Sequence, residues 1–424
     1  MGRLFLILGL SAFLLVFDYY CFRAILGVFP GWKHRTKRWF STIWWSYTFL
    51  LILGVFVSIY ITLPIFYLSL RSIVLVAFFL TVVCKFVMLP FLLADDIRRL
   101  VIRLRRNPSF TKPTTGEPSS GQMSAGEPIS RSAFLIKAGL ITAAVPLGSL
   151  TWGITSGAYD YHVKRRKLIL PNLPKAFEGI RLGQISDIHS GSFYNPRAVK
   201  GGVEMLMAEK PDFIFFTGDL VNSLASEMRD YQDIFTKVKA PLGVYSSLGN
   251  HDYGDYYFGK GPSAEKAKNL QSLIRTHELM GWDLLMNDNR RLKVNGEEIG
   301  ILGVENWGTG RFPKYGKMDL AVKNTADLPV KLLLSHDPSH WRAEILEKYP
   351  QIDAMFSGHT HGMQFGLQTE HYQWSPVQYL YKEWAGFYRE GTQQLYVNVG
   401  YGFLGYPGRV GILPEITIFE LKRA

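Results

Sequence analysis

Gly249-Asn250-His251-Asp252 directly follows the apolar run Gly243–Leu248. A run of this length and composition predicts a buried β-strand, and the tetrapeptide begins where that strand ends. It therefore brings an amide oxygen, an imidazole and a carboxylate to one edge of a sheet. Open α/β sheets bind their ligands at the carboxyl ends of the strands. We expect the chemistry of this protein to lie at that edge.

Four other apolar runs end in the same manner, on short segments rich in Asp, His and Gly. These segments are Asp187-Ile188-His189, Gly218-Asp219, Ser335-His336-Asp337 and Gly358-His359-Thr360-His361. The amphipathic stretches Pro196–Lys210 and Pro262–Met280 lie between runs, which predicts βα units around a largely buried sheet. Asn295-Gly296 predicts a hairpin turn. Further predicted strands are Trp282–Met286, Arg291–Val294, Ile299–Val304, Leu395–Val399 and Glu415–Leu421.

The polar residues at the strand ends form a set that suits divalent metal ions. The set is Asp187, His189, Asp219, Asn250, His251, His336, His359 and His361. Carboxylates, imidazoles and one amide oxygen, without a thiolate, favour Mn, Fe, Zn or Mg. In Asp-x-His and His-x-His, alternate residues of an extended segment point the same way, so each pair can approach one metal. Two such cations ~3.5–4 Å apart serve phosphoryl chemistry, because they activate water and neutralise phosphate oxygens.

The five blocks, in this order and each after a strand-like run, resemble those of the calcineurin-like metallophosphoesterases. The resemblance covers roughly Ile180 to Leu421. It implies two mixed β-sheets packed face to face and flanked by helices. It also implies hydrolysis of a phosphomonoester, phosphodiester or pyrophosphate by metal-activated hydroxide. The chain also resembles the membrane-associated branch of this family, which includes YkuE- and YaeI-like proteins. The features that carry this resemblance are the apolar run before the domain and Pro414-Glu415-Ile416-Thr417.

The resemblance further implies a role for each residue of the set. Asp187, His189 and His361 would hold the first metal. Asn250, His336 and His359 would hold the second metal. Asp219 would bridge the two ions, and His251 would act as general acid, oriented by Asp252. A single histidine after a strand, such as His336, is more often a capping or core group, and the other blocks favour the ligand role.

Several other polar residues near the blocks remain open to more than one interpretation. Tyr253–Phe258 either lines a substrate entrance or packs under a loop. Arg409 is a candidate phosphate clamp. His340 and Asp337 are expected to support the ligands or cap local structure. His34, His162, His277 and His371 match no block and are interpreted as surface or structural residues.

The amino-terminal third of the chain has the composition of a membrane region. Four apolar runs are long enough to cross a bilayer, which requires ~20 residues. They are Leu4–Val28, Trp39–Leu70, Ser72–Ala94 and Ser132–Gly157. We predict a three-span membrane region at 1–106, a flexible Pro/Gly/Ser/Thr-rich linker at 107–131, a fourth span at 132–157 and the catalytic domain at 168–424. Cys21 and Cys84 lie in the apolar runs and are expected to be packing residues.

The net charge of +12 lies wholly in the first 168 residues. The first 168 residues hold 20 Lys or Arg and 6 Asp or Glu, a net charge of +14, and the rest has a net charge of −2. A nucleic-acid binder would carry its basic patch on the folded domain, so no nucleic-acid partner is expected. The basic segments Lys33–Arg38 and Arg98–Arg106 predict cytoplasmic loops and an external amino terminus. The catalytic domain would then follow the fourth span on the extracytoplasmic side.

Two short segments bear on that orientation in opposite directions. Ser130–Lys137 resembles a twin-arginine export signal but lacks the second arginine. Lys164–Lys167 follows the fourth span and argues against an external location. Inside the spans, Asp18, Arg23 and Lys85 are ionisable, and mutual pairing or snorkelling is the favoured interpretation.

The sequence favours a membrane-anchored dinuclear phosphoesterase acting on a phosphorylated small molecule or lipid. Two alternatives remain open. One is a phosphoprotein phosphatase of the same superfamily, which the lack of a recognisable docking region disfavours. The other is a non-catalytic sensor or scaffold that binds metal and signals through the spans, which the intact ligand set disfavours. The sequence leaves the native metal pair, the substrate and the oligomeric state open.

Overall fold

The computed structural model describes residues 2–60, 68–105, 130–310, 312, 314–369 and 371–424. They divide into two compact units, Met1–Thr151 and Trp152–Ala424. Most of the predicted linker and residues 61–67 of the second predicted span lie outside the described residues.

The first unit is built from long apolar helices. They are α1 Gly2–Val28, α2 His34–Tyr60, α3 Leu68–Arg105 and α4 Arg131–Thr155, the last of which ends in the second unit. All four are long and apolar enough to cross a membrane. Phe17, Cys21, Met88, Leu92 and Ile136 form the centre of their buried cluster. Both cysteines are free thiols, so they contribute packing and no disulfide.

A polar cluster is buried among the apolar helices of this unit. Lys85 forms an ion pair with Asp18, and Thr48 donates a hydrogen bond of 2.9 Å to the same carboxylate. The ammonium group of Lys85 also lies 5.6 Å from the ring centre of Trp44. Arg23 bonds the exposed hydroxyl of Tyr19 instead. Asp18 and Lys85, two of the three ionisable residues named in the sequence analysis, are therefore mutually paired.

The second unit is an α/β domain with fourteen strands in the described residues. They are β1 His162–Leu170, β2 Arg181–Ile185, β3 Phe213–Thr217, β4 Val244–Ser247, β5 Asp283–Leu284, β6 Asp288–Val294, β7 Glu297–Gly303, β8 Lys331–Leu334, β9 Ala354–Ser357, β10 Leu367–Gln368, β11 Gln373–Trp374, β12 Gly386–Glu390, β13 Gln393–Val397 and β14 Glu415–Arg423. The helices are α5 Pro196–Ala208, α6 Gln232–Phe235, α7 Asp255–Phe258, α8 Ala264–Met280, α9 Met318–Ala321 and α10 Leu346–Lys348.

Two six-stranded mixed sheets form the domain, with the strand orders β1-β14-β2-β3-β4-β5 and β12-β13-β9-β8-β7-β6. Strands β2, β3 and β4 are parallel neighbours in the first sheet. Strands β7, β8, β9 and β13 are parallel neighbours in the second. The predicted fold of apolar amino-terminal helices followed by an α/β domain with mixed sheets is confirmed.

Alternating side chains of the central strands build the layers. Phe213 and Phe215 pack in the core between the sheets, together with strands of the second sheet. Ile214 and Phe216 pack on the opposite face, against α5 and α8. Because successive side chains of a strand point to opposite faces, a strand that is apolar throughout must be covered on both sides. This arrangement gives each sheet an outer helical layer and a shared inner core.

Strand β1 was missed by the sequence analysis, which began the domain at Leu168. Its basic residues Lys164–Lys167 suggested a segment beside the membrane, whereas they form the edge of the first sheet next to β14. The amino group of Lys164 lies 2.7 Å from the buried carboxylate of Glu415. Only Leu168 and Leu170 of β1 are fully buried, so the strand lacks an apolar run that could reveal it.

Candidate metal centre

The predicted ligands follow the carboxyl ends of five parallel strands. Strand β2 leads to Asp187 and His189, and β3 leads to Asp219. Strand β4 leads to Asn250. In the second sheet, β8 leads to His336, and β9 leads to His359 and His361. The loops that carry the predicted ligands therefore follow the carboxyl ends of strands in both sheets, and they meet at one site.

Asp187, His189 and His361 form one compact group. The Nε2 atoms of His189 and His361 lie 3.0 Å apart. Nε2 of His361 lies 3.3 Å from Oδ1 of Asp187. All three side chains are buried, and their donor atoms lie within 4.8 Å of one another. Three donors that converge in this way can share one cation.

A second group contains Asp219, His336 and His359, whose donor atoms also lie within 4.8 Å of one another. The amide oxygen of Asn250 lies 2.9 Å from Nδ1 of His359, so it points at the same centre. The backbone carbonyl of Thr217 accepts a 2.7 Å hydrogen bond from Nδ1 of His336. That bond fixes the ring and leaves Nε2 facing the group.

Asp219 connects the two groups. Its Oδ2 lies 3.1 Å from Nε2 of His336 and 3.5 Å from Nε2 of His189. Its Oδ1 accepts a hydrogen bond of 2.8 Å from the backbone amide of His251. This carboxylate therefore faces one histidine of each group, as a bridging ligand must.

The electrostatics of the site suit cation binding. Burial raises the pKa of Asp187 to about 7. Burial also lowers the pKa of His189 to about 3 and that of His361 well below its ordinary value, which keeps both rings in the neutral, ligating form. Burial alone would lower the pKa of His336, but the carboxylate of Asp219 outweighs it and raises this pKa to about 10. A bound cation would take the place of that proton.

One atom of the site supports the same conclusion independently. Nε2 of His336 is buried and makes no well-aligned hydrogen bond among the described residues, although Oδ2 of Asp219 lies 3.1 Å away. Buried polar atoms normally have a well-aligned partner, and one without requires an explanation. This nitrogen, the neutral imidazoles and the oxygen donors together fit divalent cations. The seven side chains named above would hold them.

Two glycines allow the loops to come this close. A Cβ atom at Gly249 would lie 2.3 Å from Oδ1 of Asp219, and one at Gly358 would lie 2.1 Å from Oδ2 of Asp187. Neither position has room for a side chain. The glycines of Gly-Asn-His-Asp and Gly-His-Thr-His are therefore required by close approach to the carboxylates.

Two models of known protein families match this chain. Residues 180–363 match the model of the calcineurin-like phosphoesterases. Residues 2–158 match a model described as a probable transmembrane domain of calcineurin-like phosphoesterases. The chain belongs to the calcineurin-like metallophosphoesterases. It carries the membrane helices of a transmembrane branch of that family.

Several curated proteins are similar to this metallophosphoesterase. A transmembrane protein with metallophosphoesterase domain from Danio rerio is 27% identical over 298 residues, which are 68% of this chain and 63% of that protein. The chain thus spans less than two thirds of that relative. The uncharacterized metallophosphoesterase YkuE of Bacillus subtilis is 29% identical over 299 residues, which are 66% of this chain and 94% of YkuE.

Among solved structures, the NAD nucleotidase NadN of Haemophilus influenzae is similar to this chain with 16% identity and a TM-score of 0.36. The match covers 53% of this chain and 45% of the NadN chain. No functional conclusion follows from a likeness of that size.

His251 and Asp252 have different neighbours from those that the family resemblance implies. Nδ1 of His251 donates a 2.8 Å hydrogen bond to the backbone carbonyl of Asn222, and its ring stacks on Tyr256 at 4.3 Å. The Asp252 carboxylate instead accepts hydrogen bonds from the backbone amides of Asp219 and Gly249, both 2.9 Å long. Asp252 therefore fixes the two ligand loops, and Asn222 orients His251.

Three residues support the candidate ligands, and two of them, Asn222 and Tyr381, were not predicted from the sequence. The side-chain oxygen of Asn222 lies 3.1 Å from Nδ1 of His189, so this residue holds two histidines at once. The hydroxyl of Tyr256 accepts a hydrogen bond of 3.0 Å from Asn250. The hydroxyl of Tyr381 lies 2.7 Å from Nε2 of His359. Within the stretch Tyr253–Phe258, Tyr256 contacts the site through Asn250, whereas Tyr253 is buried against Tyr315.

Arg409 differs from the candidate phosphate clamp of the sequence analysis. Its side chain is fully buried. The guanidinium donates hydrogen bonds to the backbone carbonyls of Val399 at 2.8 Å and Gly402 at 2.9 Å. One of its nitrogens also lies 3.4 Å from Nδ1 of His361. Arg409 therefore holds the carboxy-terminal loop against the ligand loop, and its donors are occupied by protein carbonyls.

The remaining histidines lie apart from the site. His277 is buried, and its Nδ1 lies 3.0 Å from the hydroxyl of Ser246. His340 is also buried, and its Nδ1 lies 2.9 Å from the hydroxyl of Ser335. His371 is exposed. These positions agree with structural or surface roles.

Proposed function

We propose that this protein is a membrane-anchored dinuclear phosphoesterase that hydrolyses a phosphoester or pyrophosphate bond. The observation that carries the proposal is the pair of ligand groups joined by Asp219, at the edge where both sheets end. Asp187, His189 and His361 would hold one divalent cation, and Asn250, His336 and His359 the other. Bound there, two cations would supply an activated water and neutralise the phosphate oxygens.

His251 is the residue of this chain that fits the role of general acid. Its Nδ1–H is engaged by the carbonyl of Asn222, so Nε2 is the nitrogen that remains to exchange a proton. The ring is only half-buried, and Tyr256 stacks against it. A histidine fixed at one nitrogen and open at the other can protonate the oxygen of a leaving group.

The membrane helices favour a substrate at or near the bilayer. Four candidate spans in one chain keep the domain close to lipid. A lipid-linked or membrane-proximal phosphate is therefore the substrate class that the architecture favours. The charge distribution of the sequence favours the extracytoplasmic side for the domain.

Hydrolysis by the purified full-length chain tests the proposal. With Mn²⁺ and bis-p-nitrophenyl phosphate, we expect the His251→Ala variant to lose at least 100-fold in kcat, because general acid catalysis contributes 10²–10⁴-fold. His371→Ala, which changes an exposed histidine of the same domain, is the matched control and should keep full activity.

The outcome that contradicts the proposal is an inert wild-type protein. The assay would be repeated with Mn, Fe, Zn and Mg and with monoesters, diesters and pyrophosphates. If wild type and His251→Ala are equally inactive throughout, catalysis is refuted. Mass spectrometry of the metal content then decides the alternative, because a non-catalytic scaffold need not hold two metals per chain.

A further inference from the structure

A cavity of about 590 Å³ lies beside the second group of candidate ligands. Phe312 and Tyr381 line it, and both contact His359. The ring centre of Phe312 lies 4.7 Å from that of His359, edge to face. The hydroxyl of Tyr381 lies 2.7 Å from Nε2 of the same imidazole. The cavity therefore begins where the ligand shell of the second metal ends.

The wall of the cavity offers mainly carbon. Phe312, Ala343, Leu380 and the ring of Tyr381 contribute apolar surface. Two of the charged residues of the wall, Arg342 and Glu383, are paired, since Nε of Arg342 lies 2.5 Å from the carboxylate of Glu383, and Lys382 is a further charged residue of the wall. The same guanidinium also reaches Glu390 at 2.8 Å, so its charge is balanced by two carboxylates. A concave, mostly apolar site of this volume suits an uncharged organic group.

Leu380 places the open side of the cavity at the protein surface. It lines the cavity and is nevertheless 72% exposed. A single exposed leucine is ordinary, but one that also forms the wall of a cavity beside a metal site marks an entrance for an apolar ligand.

We propose that this cavity binds the hydrocarbon portion of the substrate while its phosphate lies at the proposed metal centre. The substrate class is then a phosphoester whose organic group is an alkyl or acyl chain, as in a phospholipid or another lipid phosphate. The inference rests on the proposed phosphoesterase function. Beyond that function, it states where the organic group of the substrate binds. It also states that hydrophobic contact with the cavity wall selects substrates with such a group.

Competitive inhibition by alkyl phosphonates tests the inference without depending on turnover of an unknown substrate. The full-length chain in detergent hydrolyses bis-p-nitrophenyl phosphate in the presence of ethyl, butyl or hexyl phosphonate. Each fully buried methylene is worth roughly a fourfold change in affinity. From ethyl to hexyl phosphonate we therefore expect the inhibition constant to fall at least tenfold.

Variants of the wall locate the effect. Leu380→Ser and Phe312→Ala should reduce the dependence on chain length to less than threefold, and Leu380→Ser should also leave inhibition by ethyl phosphonate nearly unchanged. Tyr379→Ser is the matched control, because Tyr379 is 76% exposed and adjacent in sequence but is not part of the cavity wall. It should keep the full dependence. Unchanged metal content establishes that each variant is folded.

The possible failures can be distinguished. Equal inhibition by all three phosphonates in an active enzyme overturns the cavity assignment and leaves the phosphoesterase function standing. A chain-length dependence that survives in both wall variants also overturns the assignment. An enzyme that hydrolyses no phosphoester refutes the function and the inference together.

Discussion

Backbone conformation at the ligands shows how tightly the site is constrained. Asp187, His189, Asp219, His359 and His361 all have left-handed φ angles, between 48° and 73°. Such conformations cost non-glycine residues free energy and persist only where the surrounding structure enforces them. Here the enforcement comes from backbone hydrogen bonds to carboxylates, such as those that Asp252 accepts from two ligand loops. The strain is therefore stored at the metal centre.

Asp337 is expected to act on the second metal through His359. It is fully buried, and its Oδ2 lies 3.5 Å from Nε2 of His359, with no hydrogen-bond partner among the described residues. Carboxylates behind metal-binding histidines typically change metal affinity 10–100-fold. Asp337→Asn should therefore weaken one of the two Mn²⁺ sites by about that factor, measured by equilibrium dialysis and mass spectrometry.

The control for that variant is Asp327→Asn, which alters a largely exposed carboxylate that pairs with Arg291. It should bind two Mn²⁺ ions with wild-type affinity. Two unchanged sites in Asp337→Asn would show that this carboxylate only supports the local loop.

At the residue scale, sequence patterns indicated the candidate ligands more readily than the residues that hold those ligands in place. Each candidate ligand follows an apolar run directly, so strand and ligand are read from one continuous stretch. Tyr381 reaches His359 from 22 positions further along the chain. Asn222 acts on His251 through a backbone carbonyl, which any residue type provides. Contacts of these two kinds leave no local signal in the sequence.

At the scale of elements, β14 carries a buried carboxylate that joins both sheets. Glu415 accepts a hydrogen bond of 2.6 Å from Tyr396 of β13, and Lys164 of β1 lies 2.7 Å away. Burial would raise the pKa of Glu415, but Lys164 and the hydrogen bonds outweigh it and lower this pKa. A lowered folded-state pKa means that the stabilisation is complete above the unfolded-state value of about 4.3 and is lost as the pH falls further.

Glu415→Gln should therefore destabilise the domain at neutral pH and matter less in acid. A hydrogen-bonded charge contributes on the order of 2 kcal/mol. For a domain of this size that corresponds to a Tm lower by roughly 4–8 °C at pH 7. Thermal unfolding of the full-length chain at pH 7 and pH 3.5 measures the difference, which should shrink at the lower pH.

Glu420→Gln serves as the control on the same strand, because Glu420 pairs with Lys422 at the surface. Its Tm should stay close to wild type at both pH values. If Glu415→Gln lowers the Tm equally at pH 3.5 and pH 7, the destabilisation comes from altered packing and not from the lost charge.

Strands that are apolar throughout were predicted from the sequence. Strands that are recognisable only by their hydrogen bonds to a neighbouring strand were not. The hairpin of β6 and β7 formed at Asn295-Gly296, where both residues have positive φ angles. Strand β1 exposes most of its basic side chains and is recognisable only by its pairing with β14. The two-residue strands β10 and β11 likewise have too few residues to show a period.

For the whole molecule, the position of β1 gives the basic segment after the fourth span a structural role. Lys164–Lys167 argued for the cytoplasm as a basic segment beside a span. In the structure, Lys164 pairs with Glu415 and Arg165 pairs with Glu209, so part of this charge is neutralised within the folded domain. The positive-inside rule still counts these residues because they lie close to a span, but the basic loops Lys33–Arg38 and Arg98–Arg106 hold more Lys and Arg and favour an external domain.

Cysteine labelling in intact cells tests that orientation. Cys21 and Cys84 would first be replaced by alanine, which removes both native thiols. Glu204→Cys then places a thiol on the exposed face of α5, and Lys33→Cys places one in the first basic loop. A membrane-impermeant maleimide should label Glu204→Cys in intact cells and Lys33→Cys only after permeabilisation. The reverse pattern would place the catalytic domain in the cytoplasm and require a substrate of the inner leaflet.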